Sequence, residues 1–347
     1  MNSDYLAQAT GPGSSTGRVR WYALISLILL AATLAEVLTG STPLPSIILY
    51  PIGFLFNIGL YGGGAVLIRE ASVRWRKRWG AVLFLGGAYA VGEEGFAAKT
   101  MINPNSPIIG NQLYSHWIGI NWVPLTALTI FHAGFSIAVP ILLIELIFPK
   151  TKGRRLVGNL GLTTTLVLYG IDVTLLSLFL GDPYVPSLFV VAFLSVYAAT
   201  FLVTGYKIPK TFLQAKEERP DRRERTFLLL GLSVMTGFFV IGGGLTSFGS
   251  LTVRFLPWPA TVALYLPFVG LTAWYLVKHA GRSENDSVKI AFVLGMMLIF
   301  IPMDIMLEIS GDIGVLVYTG LVIGLLIWLR QRVKQAGKVL PMGHPTS

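Results

Sequence analysis

The chain contains no cysteine among its 347 residues, which excludes disulfide bonds, thiolate metal sites and cysteine nucleophiles. Charged side chains are also scarce, at 13% of the residues, whereas soluble domains carry about 25%. Apolar side chains make up 53% of the chain, and the mean hydropathy is +0.67. This composition predicts an all-α, polytopic integral membrane protein.

Acidic residues are fewer than basic ones: 17 Asp and Glu stand against 27 Lys and Arg, a net charge of +10. The basic residues lie almost entirely in short segments between apolar runs, as the positive-inside rule describes for cytoplasmic loops. We therefore expect these loops, above all the basic run at 74–78, to contact anionic lipid headgroups of the bilayer and not nucleic acid. Both termini are predicted to be cytoplasmic, in a multi-pass protein of the cell membrane.

A membrane-crossing helix needs about 20 mostly apolar residues. By that rule the chain has one transmembrane domain at 21–330, which contains a charged cytoplasmic loop at 207–225. A polar N-terminal tail at 1–20 and a C-terminal tail at 331–347 flank it, both on the cytoplasmic side. About ten transmembrane helices are predicted, at 21–39, 46–68, 79–101, 122–148, 157–180, 184–206, 226–249, 257–278, 288–308 and 313–330.

Two adjacent acids, Glu93 and Glu94, lie in the apolar stretch at 79–101. An ionised acid near the bilayer centre costs at least roughly 2.5–3.5 kcal/mol on insertion scales, and two neighbouring carboxylates also repel each other. Such residues indicate a functional site. Because consecutive positions on an α-helix point about 100° apart, the two acids are not expected to face one point equally.

Helix geometry gives these acids a depth. At about 1.5 Å per residue, Glu93 and Glu94 lie roughly 21 Å from the cytoplasmic start of their helix, in the outer half of the bilayer. His132 lies at an overlapping depth in the next helix, with Thr129 and Ser136 on the same face by helical spacing. The other polar residues predicted at this level, as binding residues for a substrate or an ion, are Glu36, Asn57, Ser136, Asp172 and Asp304.

Two kinds of chemistry suit this set. A buried carboxylate can act as a general base while a histidine orients water, which would serve hydrolysis within the membrane. Acids and a histidine at mid-depth are equally the parts of a proton relay or a cation site in a transporter. The chain has no HExxH-like spacing that would indicate zinc, and the sequence specifies neither a metal nor any other cofactor.

A Glu-Glu pair in one span followed by a histidine in the next resembles the CAAX-protease and bacteriocin-processing (CPBP) intramembrane proteases. Glu93-Glu94 corresponds to the pair of that family's EExxxR motif, and His132 to the histidine of its FxxxH motif. Ala98 stands at the basic position, Leu128 stands at the Phe position, and no predicted span carries a later histidine for the third motif. The resemblance implies that Glu93 or Glu94 activates water and that His132 assists.

Three classes of function follow from these residues. An intramembrane hydrolase or peptidase accounts for the acid pair with His132 as catalytic residues. A proton- or cation-coupled secondary transporter accounts for the wider set of acids, and a non-enzymatic subunit of a membrane complex accounts for the incomplete motif. The expected partner is a membrane-embedded substrate in the first case and a small ion in the second. The hydrolase requires a carboxylate within about 3 to 6 Å of His132.

Overall fold

A computed structural model of the chain describes residues 15–213, 223–242, 256–280 and 286–339. The predicted tails at 1–20 and 331–347 and the loop at 207–225 therefore lie in part outside the described residues. The described α-helices are α1 (Ser15–Glu36), α2 (Leu44–Leu49), α3 (Pro51–Asn57), α4 (Gly63–Arg74), α5 (Trp79–Ala90), α6 (Trp122–Phe131), α7 (Val139–Ile147), α8 (Asn159–Leu175), α9 (Leu188–Lys207), α10 (Glu224–Gly242), α11 (Trp258–His279), α12 (Ser287–Met297), α13 (Phe300–Ile309) and α14 (Val315–Val339).

Four segments continue these helices with a wider, π-helical turn: π1 (Ile58–Gly62), π2 (Val91–Ala97), π3 (His132–Ala138) and π4 (Leu176–Leu180). The only strands in the described part form two short antiparallel hairpins between α5 and α6. Strand β1 (Asn105–Ser106) pairs with β2 (Gly110–Asn111), and β3 (His116–Trp117) pairs with β4 (Ile120–Asn121). The described fold is thus all-α apart from the connection between α5 and α6.

Nine helices in the described ranges are long and apolar enough to cross a membrane. This finding confirms a polytopic, helical membrane protein. The predicted count of about ten is not reached because the helix expected at 79–101, present as α5 and π2, is not among the nine. Its two glutamates and its glycines lower its hydropathy. It packs between α9 and π3, so protein surrounds it where a lipid-facing helix would need apolar side chains.

The helix expected at 46–68 is broken near its start. Pro51 lacks the backbone N–H that a continuous helix requires, so α2 ends at Leu49, before Tyr50, whose backbone is not helical. The spanning helix then runs from Pro51 through π1 to Arg74, six residues beyond the predicted end. We call this combined helix, α3–π1–α4, the second span. It ends in the basic run at 74–78.

The second span ends in a buried ion pair that binds the connection after α7. Arg69 and Glu70 are both fully buried, with 3.2 Å between Arg69 Nη1 and Glu70 Oε1. Arg69 donates to the carbonyl oxygen of Thr151 at 2.7 Å, and Glu70 Oε1 accepts from the backbone N–H of Leu156 at 2.7 Å. Because buried charges are costly unless they are paired and hydrogen-bonded, these contacts hold this end of the second span against the connection after α7.

Glycines allow several helices to cross at backbone contact. A Cβ on Gly86 of α5 would lie 2.7 Å from the Cα of Ala133, the residue after His132. A Cβ on Gly64 would lie 2.3 Å from the ring of Tyr89. Small residues permit such close approach in membrane bundles. Gly86 thereby sets the distance between the helix that carries the two glutamates and the helix that carries His132.

The crossing of α10 and α12 gives a test of this packing. A Cβ on Gly231 would lie 1.9 Å from the carbonyl oxygen of Phe292, a backbone atom that cannot rotate away. We expect Gly231→Ala to lower the free energy of unfolding by at least about 1–3 kcal/mol through overpacking. The measurement is the unfolding temperature of the purified protein in detergent. The control is Gly324→Ala, where no atom lies within 4 Å; equal unfolding temperatures for the two variants would contradict the close crossing.

Candidate functional site

The predicted catalytic residues all lie in π-helical turns. Glu93 and Glu94 belong to π2, and His132 is the first residue of π3. A π-helical turn contains more residues than an α-helical one, so neighbouring side chains point less far apart, and such turns are frequent at functional sites. The expectation that the two acids cannot both serve one point is therefore wrong: both carboxylates contact the same imidazole ring.

His132 lies between the two carboxylates. Its Nε2 is 2.8 Å from Glu94 Oε1, within hydrogen-bond geometry, and its Nδ1 is 3.1 Å from Glu93 Oε2. The exposed fractions are 3% for Glu93, 9% for Glu94 and 3% for His132. These distances meet the requirement set for a hydrolase. We call Glu93, Glu94 and His132 the buried triad.

Each carboxylate oxygen of Glu94 has a hydrogen-bonding partner. The Thr100 hydroxyl donates to Glu94 Oε2, and Oε1 faces His132 Nε2. In a neutral imidazole, a carboxylate that accepts from Nε2–H fixes the tautomer that carries a lone pair on Nδ1. Nδ1 and Glu93 Oε2 have no aligned hydrogen bond within the described residues, so these two atoms are the ones free to act on a bound molecule.

Aromatic rings enclose the histidine. The ring centroids of Tyr61, Tyr89 and Phe131 lie 6.1, 6.2 and 5.6 Å from that of His132. The Tyr61 hydroxyl interacts with the carboxylates of both Glu36 and Glu93. The Tyr89 hydroxyl is buried and interacts with the carboxylate of Glu93. The residues around the triad therefore supply hydroxyl groups among aromatic rings.

The structure brings Glu36 and Asn57 to the same polar layer. The Thr42 hydroxyl donates to Glu36 Oε2 at 2.5 Å, and the Asn57 amide donates to Thr42 Oγ1 at 3.2 Å. Glu36 also interacts electrostatically with Glu94 and His132. Through Tyr61, this network connects α1 and the second span with the buried triad.

The remaining predicted residues lie apart from the triad's contacts. Ser136 is fully buried, and its hydroxyl has no partner within the described ranges; Thr129 donates to its own helix at the Leu125 carbonyl, 2.6 Å away. Asp172 is buried beside Gly59. Asp304 accepts from the Thr319 hydroxyl between α13 and α14, and no described contact connects it with His132. A common depth does not fix the direction in which a side chain points.

Sequence reasoning missed the tyrosines and Thr100. Tyr61 follows Asn57 by four residues and Tyr89 precedes Glu93 by four, a spacing that places each pair on one helical face. That spacing was the available signal for both. Thr100 had no comparable signal, because it reaches Glu94 only after the chain leaves π2 and turns at Lys99, which has a φ of 57°.

The triad could hold a metal ion. One ligand atom from each of Glu93, Glu94 and His132 lies within 4.8 Å of the others. Nitrogen and carboxylate oxygen are ligands of zinc, and catalytic zinc sites take three protein ligands and leave a fourth position open. The three residue types fit such an ion, although Glu94 would have to exchange one of its present hydrogen bonds for a metal bond.

No family model, curated protein or solved structure matches the chain. The resemblance to the CPBP intramembrane proteases therefore stays a prediction. The cation nearest to that family's basic position is Lys99, and its Nζ donates to the backbone carbonyl of Asp182 at 2.5 Å. Lys99 is thus engaged by the connection before α9 and not by the acid pair.

The triad's mutual dependence can be measured as stability. Removing the imidazole leaves the two buried carboxylates without the ring that they contact, so we expect His132→Ala to lower the free energy of unfolding by at least about 1–3 kcal/mol, the cost of an unsatisfied buried group. Adding Glu93→Gln and Glu94→Gln to His132→Ala should recover most of that loss, because no unpaired carboxylate then remains. Thermal unfolding in detergent compares the variants. Losses that simply add from one substitution to the next would contradict the coupling.

Proposed function

We propose that this protein is an intramembrane hydrolase that cleaves a membrane-embedded peptide, with Glu93 as general base and His132 as its partner. The observation that carries the proposal is a pair of buried atoms, His132 Nδ1 and Glu93 Oε2, which lie 3.1 Å apart and have no aligned hydrogen bond within the described residues. Two proton acceptors that face one position can bind and deprotonate a water molecule. Glu94 and Thr100 act as positioning residues, because they fix the tautomer of the imidazole.

The proposed reaction has three proton transfers. Glu93 takes a proton from water as the water oxygen forms a bond to the peptide carbonyl carbon. The proton then passes from Glu93 to His132 Nδ1 and on to the leaving nitrogen, as the carbon–nitrogen bond breaks. The Tyr89 hydroxyl, buried beside the Glu93 carboxylate, would donate to the oxygen that becomes negative once Glu93 has taken its proton. If a zinc ion occupies the triad, it would supply the same activation of water.

The proposal includes the orientation and the lipid contacts expected from charge. In the basic run at 74–78, Arg74 and Lys77 donate to backbone carbonyls of Val157 and Ile208, whereas Arg76 and Arg78 are exposed. Exposed cations beside a membrane attract anionic headgroups, at about 1 kcal/mol each. We infer that this end of the second span is cytoplasmic in the cell membrane and that Arg76 and Arg78 contact anionic lipids.

A second candidate function is proton- or cation-coupled transport. The observation that favours it is the line of polar groups from Asn57 through Thr42, Glu36 and Tyr61 to Glu93. Connected carboxyl and hydroxyl groups in a membrane can relay protons. A hydrolase needs the triad alone, so this line has no assigned role in hydrolysis.

One preparation separates the two functions. The protein is placed in liposomes that contain a trapped pH dye and a panel of quenched fluorogenic single-span peptides. We expect wild type to cleave at least one peptide, and Glu93→Gln and His132→Asn to lose about 10²–10⁴-fold in rate, the usual contribution of a general acid–base group. Asp304→Asn, a buried acid without contact to the triad, is the matched control and should retain the rate.

Two outcomes of this experiment would count against the hydrolase. Cleavage that is equal in wild type and Glu93→Gln would contradict the hydrolase. Proton movement that depends on Glu93 and Glu36, without cleavage of any peptide, would support the transporter in its place.

A further inference from the structure

Asp172 differs from every other residue of its helix. Among the residues of α8 (Asn159–Leu175), all of which the structure describes, Asp172 alone is buried, with 7% of its surface exposed. The apolar side chains around it face outward: Leu168 is 59% exposed and Ile171 is 49% exposed. A helix that turns apolar groups outward and a carboxylate inward buries that acid at a cost in free energy. Such a cost indicates a use.

The carboxylate of Asp172 has a free acceptor. Its Oδ2 is buried and has no hydrogen-bond partner within the described part of the chain. Opposite it lies Gly59 in π1, where an added Cβ would be only 2.6 Å from Oδ2. Glycine at this position therefore leaves the oxygen its space and presents no side chain of its own to bind it.

The same face of α8 leads to the buried triad. Tyr169 lies three residues before Asp172, and a Cβ on Gly92, the residue before Glu93, would be 2.6 Å from the Tyr169 hydroxyl. The Tyr169 ring is 6.1 Å from that of Tyr89, which in turn is 6.2 Å from the ring of His132. Asp172 and the triad thus border one seam between α8 and the second span.

The chemistry of Asp172 favours a hydrogen-bond donor over a metal ion. Hard cations take six to eight oxygen ligands, whereas the described neighbourhood of Oδ2 offers one carboxylate facing a glycine. A single buried carboxylate accepts strongly from an N–H or O–H group, because hydrogen bonds to charged groups are stronger than those between neutral groups. A peptide in the membrane carries N–H groups wherever its helix is unwound or ends.

We propose that a membrane-embedded peptide reaches the triad laterally, between α8 and the second span, and that Asp172 accepts a hydrogen bond from one of its N–H groups. This inference rests on the proposed hydrolase function and names its route of entry. Asp172 would then be a substrate-binding residue, and Gly59 the residue that keeps its oxygen accessible.

The test measures binding and needs no catalytic activity. The probe is a long-chain primary amide with a photoreactive diazirine beside the amide group, and its partner probe is the methyl ester of the same chain, which has no donor. After illumination in liposomes, mass spectrometry maps the labelled peptides of α8 and π1. We expect saturable labelling by the amide, at least about tenfold above the ester, which is the ratio that 1.4 kcal/mol represents.

Two variants connect this labelling with the seam. Asp172→Leu removes the acceptor and should lower amide labelling about tenfold, to the level of the ester. Gly59→Ala keeps the acid but puts a methyl group against Oδ2, so it should act in the same direction. The control is Gly170→Ala on the same helix, where no atom lies within 4 Å. Equal labelling by the two probes, or amide labelling unchanged in both Asp172→Leu and Gly59→Ala, would overturn the proposal.

The absence of native cysteine allows the route itself to be closed. A Cβ on Gly63 would lie 3.7 Å from Tyr169 Cβ, within the 3.5–4.5 Å span of a disulfide. In Gly63→Cys/Tyr169→Cys, oxidation should abolish amide labelling of π2 and reduction should restore it. The matched pair Phe84→Cys/Gly205→Cys joins α5 to α9 with a corresponding distance of 3.4 Å and should leave labelling unchanged. Labelling that persists in the oxidised first pair would overturn lateral entry at this seam, whether or not the protein hydrolyses peptides.

Discussion

A histidine held between two carboxylates within an apolar helix bundle is the interaction on which the rest of this site depends. Two ionised acids on adjacent residues repel each other and are costly to bury. The imidazole of His132 relieves both problems, because its two nitrogens face one carboxylate each, at 2.8 and 3.1 Å. The Thr100 hydroxyl donates a hydrogen bond to the other oxygen of Glu94. Glu93 is left as the acid with a free oxygen.

The helices around this triad are shaped by the need to bring both carboxylates to one imidazole ring. Both acids reach one ring because π2 is wound more widely than an α-helix, and His132 stands where α6 passes into π3. Gly86 lets the two helices meet at backbone contact. A larger residue there would move the acids away from the histidine. Local winding and small residues thus position the charges, while the apolar surfaces only hold the bundle together.

Much of this arrangement could be predicted from the sequence, because the position of a polar residue along its apolar run gives its depth in the membrane. The length of an apolar run and the rise of a helix place Glu93, Glu94 and His132 at one level, and likewise Glu36 and Asn57. Depth carries no information on direction, which is why Asp304, predicted at the same level, pairs with Thr319 and has no described contact with His132. The helix of the acids was also predicted, at 79–101, but its glutamates and glycines keep it out of the nine helices that are apolar enough to span.

The remaining features depend on contacts that are far apart in the chain. The π-helical turns change hydrogen-bond register without any change in the apolar pattern that reveals a helix. Thr100 reaches Glu94 only because the chain turns at Lys99, whose side chain is bound by the Asp182 carbonyl. Asp172 was selected as an intramembrane acid, but its significance comes from its place opposite Gly59, which only packing reveals.

The central claim is that Glu94 holds His132 as one tautomer and leaves Nδ1 free beside Glu93. Solid-state NMR of the protein in lipid, with ¹⁵N-labelled histidine and a His132→Asn variant for assignment, measures the protonation of each ring nitrogen directly. Our account predicts that the His132 signals show a proton held on Nε2 and that Glu94→Gln disrupts this preference. Signals of freely exchanging tautomers in wild type, or a preference unchanged by Glu94→Gln, would contradict it.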